Sequence, residues 1–250
     1  MPTHQVKISE QEFERGNVPS WGNVILVEMQ HSAEGYTTSA GIIVGFNTDT
    51  IYADGSGQYK DDKESHAADL AEVYGRVVRV PDQLSYEKED LNHMSWLPEM
   101  EVEIGDYVWF HPLISKNCVE IIVGHKKYKC IPYEDLFVAR KGGLDGDIVP
   151  LNGHCLLERV FDTPKSEFDV TSSKKVLQDR GRVAFVGKPN IEYQNETVGD
   201  ILDVQKGDIA YFTPGYTPIF LERKAFMANF DGDNLYYATQ RRRIALTVRE

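Results

Sequence analysis

The feature that most constrains the fold is an internal repeat of four short blocks. Each block is rich in β-branched or aromatic residues, is bounded by Gly, Asp, Pro or Asn, and recurs in the same order in the second half of the chain. The first copy comprises residues 22–29, 75–80, 102–110 and 128–138, and the second comprises residues 153–160, 181–187, 204–212 and 235–246. Such blocks are typical of strands, and helical periodicity is nearly absent. The sequence therefore predicts an all-β protein made of two tandem small β-barrels.

A Gly-Asp pair precedes the third strand of each copy. The two pairs are Gly105–Asp106 and Gly207–Asp208. Glycine tolerates the positive φ that tight turns often require, so each pair predicts a turn that leads into a buried strand.

The repeat also predicts the domain organisation. A glycine-rich polar stretch at residues 141–150 separates the copies and indicates a linker. We expect the first barrel at residues 21–140 and a second, divergent barrel at residues 151–250. Residues 1–20 are polar and aperiodic, which predicts an N-terminal extension that lies over the first barrel or is loosely ordered.

Charge and composition disfavour several classes of partner. The formal net charge is −12, whereas proteins that bind nucleic acid or anionic lipid normally display clustered Lys and Arg. No apolar run approaches the length of a membrane span, and the N-terminal residues lack an apolar signal-peptide core. Cys118, Cys130 and Cys155 are widely spaced, which fits reduced thiols. We therefore expect a soluble cytoplasmic protein that binds no nucleic acid and no membrane.

The sequence contains no convincing catalytic or metal-binding pattern. A Gly-x-Gly-x-x-Gly motif is missing, as is room for a doubly wound nucleotide domain, so a dehydrogenase is disfavoured. Two histidines and two cysteines lack the paired close spacings of a zinc site and are interpreted as ordinary strand residues. These four are His111, Cys118, His125 and Cys130. We expect a protein that is not an enzyme, with no catalytic residues, no metal and no cofactor.

The most distinctive local segment is an aliphatic triplet, Ile42, Ile43 and Val44, held between Gly41 and Gly45. Small and hydroxyl residues precede it, and a polar stretch rich in Gly and Asp follows it. Glycine is conformationally permissive, so this framing favours a mobile loop that carries an apolar tripeptide. A short buried strand followed by a loop is the alternative interpretation.

With these blocks laid out, the chain resembles the GroES-type co-chaperonins of the chaperonin-10 family, the small β-barrel lids of chaperonin cages. In the first copy the opening strand, the segment 39–44, the strand at 75–78, the block at 102–110 and the closing residues 133–136 stand in the family's order. The segment 39–44 resembles the family's mobile loop. The resemblance implies two tandem GroES-like barrels, the first with a long mobile loop at about residues 30–75.

The resemblance also implies a function and partners. A co-chaperonin of this type caps a GroEL-type chaperonin ring through its mobile loop and assists protein folding. The chaperonin-binding residues would be Gly41, Ile42, Ile43 and Val44. Weak binding through one loop requires several loops presented together, so a homo-oligomeric ring is expected.

Two departures from the family pattern favour an alternative function. The insertion at residues 46–74 is longer than in the family, and the second copy offers only Val176 and Leu177 beside Lys174 and Lys175, so its loop is expected to be degenerate. The alternative is a structural or virion-decoration protein, for instance of a phage, that retains the GroES-like barrel without chaperonin binding.

Overall fold

A computed structural model of the chain describes residues 5–15, 22–29, 36–37, 43–44, 74–85, 99–110, 114, 118–161, 176–188, 204–213, 219–220 and 236–249. Strands predominate among these residues, and the α-helix found there, α1 (Glu10–Glu14), has five residues. The prediction of an all-β protein is thus confirmed at the level of fold class. In the described part of the chain, however, the sheets do not close into barrels; each ends in an edge strand.

The strands in chain order are β1 (Gln5–Ile8), β2 (Val24–Met29), β3 (Tyr36–Thr37), β4 (Ile43–Val44), β5 (Tyr74–Arg79), β6 (Tyr107–Phe110), β7 (Val119–Val123), β8 (Lys126–Pro132), β9 (Leu136–Arg140), β10 (Ile148–Pro150), β11 (His154–Phe161), β12 (Val176–Val186), β13 (Ile209–Phe212), β14 (Ile219–Phe220), β15 (Tyr236–Gln240) and β16 (Ile244–Val248). Short 3₁₀ turns at Tyr133–Asp135 and Arg241–Arg243 precede β9 and β16.

Three sheets contain these strands. The first has the order β1-β7-β8-β2-β5-β6-β9-β10, the second has the order β14-β15-β11-β12-β13-β16, and β3 pairs with β4 in a sheet of their own. The chain forms two compact units. Unit 1 comprises Met1–Ser85, Val102–Leu136 and Arg140–Gly146, and unit 2 comprises Tyr86–Glu101, Phe137–Ala139 and Asp147–Glu250.

The two large sheets repeat one strand order. The run β7-β8-β2-β5-β6-β9 in the first sheet corresponds to the run β14-β15-β11-β12-β13-β16 in the second. The irregularities correspond as well, because the ladder between β2 and β5 shifts register between Leu26 and Val27, and that between β11 and β12 shifts between Leu156 and Leu157. The four sequence blocks therefore fall at corresponding places in the two sheets.

The first Gly-Asp pair forms a tight turn before β6. The Gly105 amide donates to the carbonyl oxygen of Val77 at 2.8 Å, and the Val77 amide donates to that of Asp106 at 2.8 Å. Gly105 has a φ of +100°, which a residue with a side chain adopts only under strain. The buried Asp106 carboxylate accepts from the Glu103 amide at 2.8 Å and pairs with the Lys141 ammonium.

The second Gly-Asp pair repeats this turn before β13. Gly207 has a φ of +96°, and the Val183 amide donates to the Asp208 carbonyl oxygen at 2.8 Å. The buried Asp208 carboxylate accepts from the Gln205 amide at 2.9 Å and lies 3.8 Å from Nε of Arg249. The predicted turns are therefore present in both copies, with equivalent hydrogen bonds and equivalent cations.

One pair of buried residues in unit 2 is more polar than its counterpart in unit 1. Ile25 lies opposite Ile131 in the first sheet, whereas at the corresponding place of the second sheet Cys155 lies opposite Thr239. Thr239 is fully buried, and its hydroxyl oxygen finds no hydrogen-bond partner within the described ranges. A buried hydroxyl in this state lowers stability, because its hydration is lost and not replaced.

Thr239→Val is accordingly expected to raise the free energy of unfolding of unit 2 by about 1 kcal/mol, since it removes the hydroxyl and keeps the side-chain shape. Denaturant unfolding of the full chain measures the change. The matched control is Thr213→Val, because the Thr213 hydroxyl donates to the Arg243 carbonyl oxygen at 3.0 Å. That variant should lower stability instead. If Thr239→Val instead lost stability, the Thr239 hydroxyl of the wild type would have a hydrogen-bond partner.

Candidate functional site

The predicted binding segment lies between β2 and β5 of unit 1. Here β3 and β4 run antiparallel, with Tyr36 opposite Val44 and Thr37 opposite Ile43. The pair forms its own two-stranded sheet and joins neither of the large sheets. Two of the predicted site residues, Ile43 and Val44, are thus in a strand whose partner is local, not a strand of the main core sheet.

The other two predicted site residues, Gly41 and Ile42, lie outside the described residues. Tyr36, which pairs with Val44, was not among the predicted site residues. Its residue type could have identified it, since aromatic residues, like β-branched ones, are enriched in strands. The role of Gly41, Ile42, Ile43 and Val44 as binding residues stays a prediction.

The second copy differs at the corresponding place. Val176, the first of the two aliphatic residues expected in a degenerate loop, begins the 11-residue strand β12 and pairs with Phe161 of β11. Residues 30–73 separate β2 from β5, whereas only residues 162–175 separate β11 from β12. The first copy therefore carries the longer insertion, and within the described residues it is the copy with a separate strand pair at this place.

The strands at the base of the insertion are tightly packed. Met29, the last residue of β2, is buried and pairs with Gly75 of β5. A Cβ atom at Gly75 would lie 2.5 Å from the carbonyl oxygen of Glu28 and 2.6 Å from Cγ1 of Val27, so only glycine allows this approach of the strands. The insertion therefore begins and ends at two closely packed strands.

Charged side chains flank this base. The Glu28 carboxylate accepts from Arg76 at 2.7 Å and pairs with the Lys126 ammonium at 3.0 Å. Burial alone would raise the pKa of Glu28, but the hydrogen bonds from Arg76 and Lys126 outweigh it and hold the pKa below its ordinary value. The carboxylate therefore stays ionised near neutral pH and links β2 to both of its neighbouring strands.

The residues considered as metal ligands do not converge where the structure describes them. No group of three or more His, Cys, Asp or Glu side chains in the described ranges is arranged to hold a metal ion; His111 lies outside these ranges. Burial raises the pKa of Cys118 to about 11 and also raises that of Cys130. Both thiols are therefore protonated at neutral pH, and a protonated thiol is a poor nucleophile and metal ligand.

His154, at the start of β11, has a strongly shifted pKa. Its ring is buried, its Nδ1 lies 2.7 Å from the carbonyl oxygen of Leu151, and the Phe137 ring lies 6.4 Å away. Burial lowers the pKa of His154 to about 4. Burial acts in the opposite direction on a carboxyl group and raises the pKa of Asp135 to about 6, with a smaller contribution from the Glu134 charge.

The shifted pKa values of His154 and Asp135 make stability depend on pH in opposite directions. Below the unfolded pKa of His154, about 6.5, the unfolded chain binds a proton that the folded chain refuses, so stability falls as pH drops towards 4. Asp135 has a folded pKa above its unfolded value, so its burial costs stability at neutral pH, and this penalty is relieved as pH falls through 6.

The variant His154→Val, which copies the corresponding Val24, isolates the first effect. We expect the stability of the wild type relative to this variant to fall by about 2 kcal/mol between pH 7 and pH 5. Urea unfolding at the two pH values provides the measurement. A difference that does not change with pH would contradict the burial of a neutral imidazole.

No model of a known protein family matches the sequence, and no curated protein is significantly similar to it. Among the described residues, no helix has the length and apolar character needed to cross a bilayer.

Proposed function

We propose that the protein is a co-chaperonin of the GroES type, which caps a GroEL-type chaperonin ring and assists protein folding. The observation that carries the proposal is the strand pair β3–β4, inserted between β2 and β5, which holds Ile43 and Val44 outside both large sheets. A strand pair separate from both large sheets supports a binding role for this segment, because binding there need not disrupt either sheet. Gly41, Ile42, Ile43 and Val44 are the proposed chaperonin-binding residues.

The finer fold is part of this proposal. We take units 1 and 2 to be tandem GroES-like small β-barrels, the second one divergent. The shared strand order and the two equivalent Gly-Asp turns support this interpretation. Neither a cofactor nor a catalytic residue is needed, and the protein would act in the cytoplasm beside its chaperonin.

The energetics of one segment favour assembly. Each buried aliphatic side chain contributes roughly 1.5–3 kcal/mol, while ordering each loop residue costs about 1–2 kcal/mol. A single segment therefore binds weakly. Several segments presented together bind far better, because tethering raises the effective concentration of each. A homo-oligomeric ring would supply them.

The last strand of the second sheet supports this assembly. In the first sheet β9 carries β10 along its outer side, but its counterpart β16 is the terminal strand as far as the described residues extend. Leu246 and Val248 of β16 are 53% and 43% exposed. An exposed edge strand with apolar side chains is a template for pairing with another chain, and a second copy could continue the sheet there.

Capture on an immobilised GroEL-type chaperonin tests the function. We expect capture of the full chain in the presence of ATP or ADP and not without nucleotide. We also expect native mass spectrometry to find more than one copy of the chain in the captured assembly. An intact oligomer that is not captured under any nucleotide condition would contradict the proposal and favour the structural or virion-decoration protein.

A further inference from the structure

Residues 5–15 lie on the first sheet as an addition to the repeated strand order. β1 pairs in parallel with β7, from Gln5 opposite Glu120 to Ile8 opposite Val123. The Gln5 side-chain amide donates to Oε1 of Glu120 at 2.8 Å. Helix α1 follows directly, and the Ser9 hydroxyl caps it by accepting from the Glu12 amide at 3.3 Å. We call residues 5–15 the strap.

The strap covers an apolar cluster on unit 1. The cluster comprises Leu26, Ile121, Val123 and Tyr128, which are buried. From the strap, Ile8 and Phe13 pack against it. The Phe13 ring lies 4.6 Å from the Tyr128 ring, and the Arg79 guanidinium lies 4.9 Å from the Phe13 ring centre and donates to the Phe13 carbonyl oxygen. Phe13 thus contacts both a ring and a cation, and we call these contacts the Phe13 clamp.

Most of the strap remains exposed. Three of the four residues of β1 and four of the five residues of α1 face solvent, and Val6 is 45% exposed. A helix of one turn is not stable without packing, and a terminal strand with few buried side chains belongs to the elements that open most easily. The cluster residue Leu26, in contrast, belongs to β2, which pairs on both sides with β5 and β8.

We propose that the strap opens and closes as a unit while the rest of unit 1 stays folded. Opening releases Phe13 from Tyr128 and Arg79, uncovers the apolar cluster and leaves β7 as the edge strand of the first sheet. The Phe13 clamp holds the closed state. This device does not depend on the proposed binding of a chaperonin.

Hydrogen exchange of the full chain, read by mass spectrometry, tests the proposal. The amides of Phe13 and Arg15 are hydrogen-bonded in the closed strap, to the carbonyl oxygens of Ser9 and Gln11 at 3.0 and 3.1 Å. We expect them to exchange at least about 100-fold faster than the amides of β2 and β8, because local opening requires far less free energy than unfolding of the sheet. Equal protection of the strap and of β2 would overturn the proposal.

An engineered disulfide that joins the strap to β7 and can be reduced again provides a second test. Lys7 and Ile122 are register partners in β1 and β7, so Lys7→Cys with Ile122→Cys places two cysteines at a distance that a disulfide can bridge. Oxidation should form the bond within one chain and slow exchange of the strap to the level of β8, and reduction should reverse the change. The single variant Lys7→Cys is the control. Unchanged exchange after oxidation, or disulfides formed only between chains, would overturn the proposal.

The clamp is tested separately by Phe13→Ala. Loss of the ring is expected to speed exchange of the strap by about 10-fold, since burying part of an aromatic side chain contributes somewhat less than burying all of it, with no change in β2. Equal acceleration in the strap and in β2 would show that Phe13 stabilises the whole sheet, and the proposed independent opening would then be wrong.

Discussion

Replacing both Ile42 and Ile43 by aspartate is expected to abolish capture by a GroEL-type chaperonin and to leave the number of copies in the assembly unchanged. Each lost aliphatic contact removes roughly 1.5–3 kcal/mol, and a carboxylate must also be desolvated in an apolar groove. The combined loss per segment corresponds to at least about 100-fold in affinity, and avidity multiplies it across the copies of an assembly. Nucleotide-dependent capture, quantified by densitometry, measures the effect.

The control is Ile51→Asp with Tyr52→Asp, which places the same two charges farther along the same insertion and should leave capture intact. Native mass spectrometry of both variants shows whether assembly survives. Capture of the variant at Ile42 and Ile43 at the wild-type level would remove residues 41–44 from the proposed interface. A variant that no longer assembles would locate these residues in subunit contacts and would equally contradict their assignment to the chaperonin.

The sequence repeat predicted the strands best where local pattern and sheet agree. The block at residues 22–29 contains β2, and the Gly-Asp pairs form the expected turns. The block at residues 102–110 yields the shorter strand β6, because its first residues make the turn that ends at Asp106. The block at residues 128–138 is interrupted at Tyr133, whose amide donates to the Asn23 carbonyl oxygen at 2.8 Å.

Other strands form by pairing with residues that are distant in the sequence, and their own residue pattern gives little indication of a strand. β1 lies within the predicted N-terminal extension and consists mainly of exposed residues; its strand conformation comes from pairing with β7. β10 lies at the end of the predicted linker. Edge strands of this kind are determined by the neighbour they pair with, since intrinsic β-propensity is weak relative to context.

The sequence identified the candidate segment by its composition but did not indicate which of its residues pair. Glycine framing identified the aliphatic triplet, yet composition alone slightly favours a short buried strand, and only the place of the triplet in the repeat favours a mobile loop. The structure adds that Ile43 and Val44 pair with Thr37 and Tyr36. Pairing across five intervening residues depends on the backbone conformation of those residues, which residue type constrains only loosely where glycine is present.

Trp109→Ala is expected to cause the largest loss of stability among single substitutions in unit 1, about 3–5 kcal/mol. The Trp109 side chain is 2% exposed. It stacks on Tyr74, its register partner in β5, with ring centres 5.3 Å apart and ring planes 11° apart. Truncation removes that stack and leaves a cavity between β5 and β6 that the close-packed surroundings cannot fill. A typical domain is stable by only 5–15 kcal/mol, so unit 1 should unfold well before unit 2.

The repeat provides a matched control at the corresponding position of unit 2. There Tyr211 pairs with Arg180, whose guanidinium lies 4.3 Å from the ring centre and donates to the Tyr211 hydroxyl at 2.7 Å. Because this pair is partly exposed, Tyr211→Ala should cost only about 1–2 kcal/mol. Denaturant unfolding followed by hydrogen exchange assigns each loss to its unit. Equal losses in the two variants would show that the buried stack of Trp109 on Tyr74 contributes no more than its partly exposed counterpart, and the packing argument for unit 1 would fail.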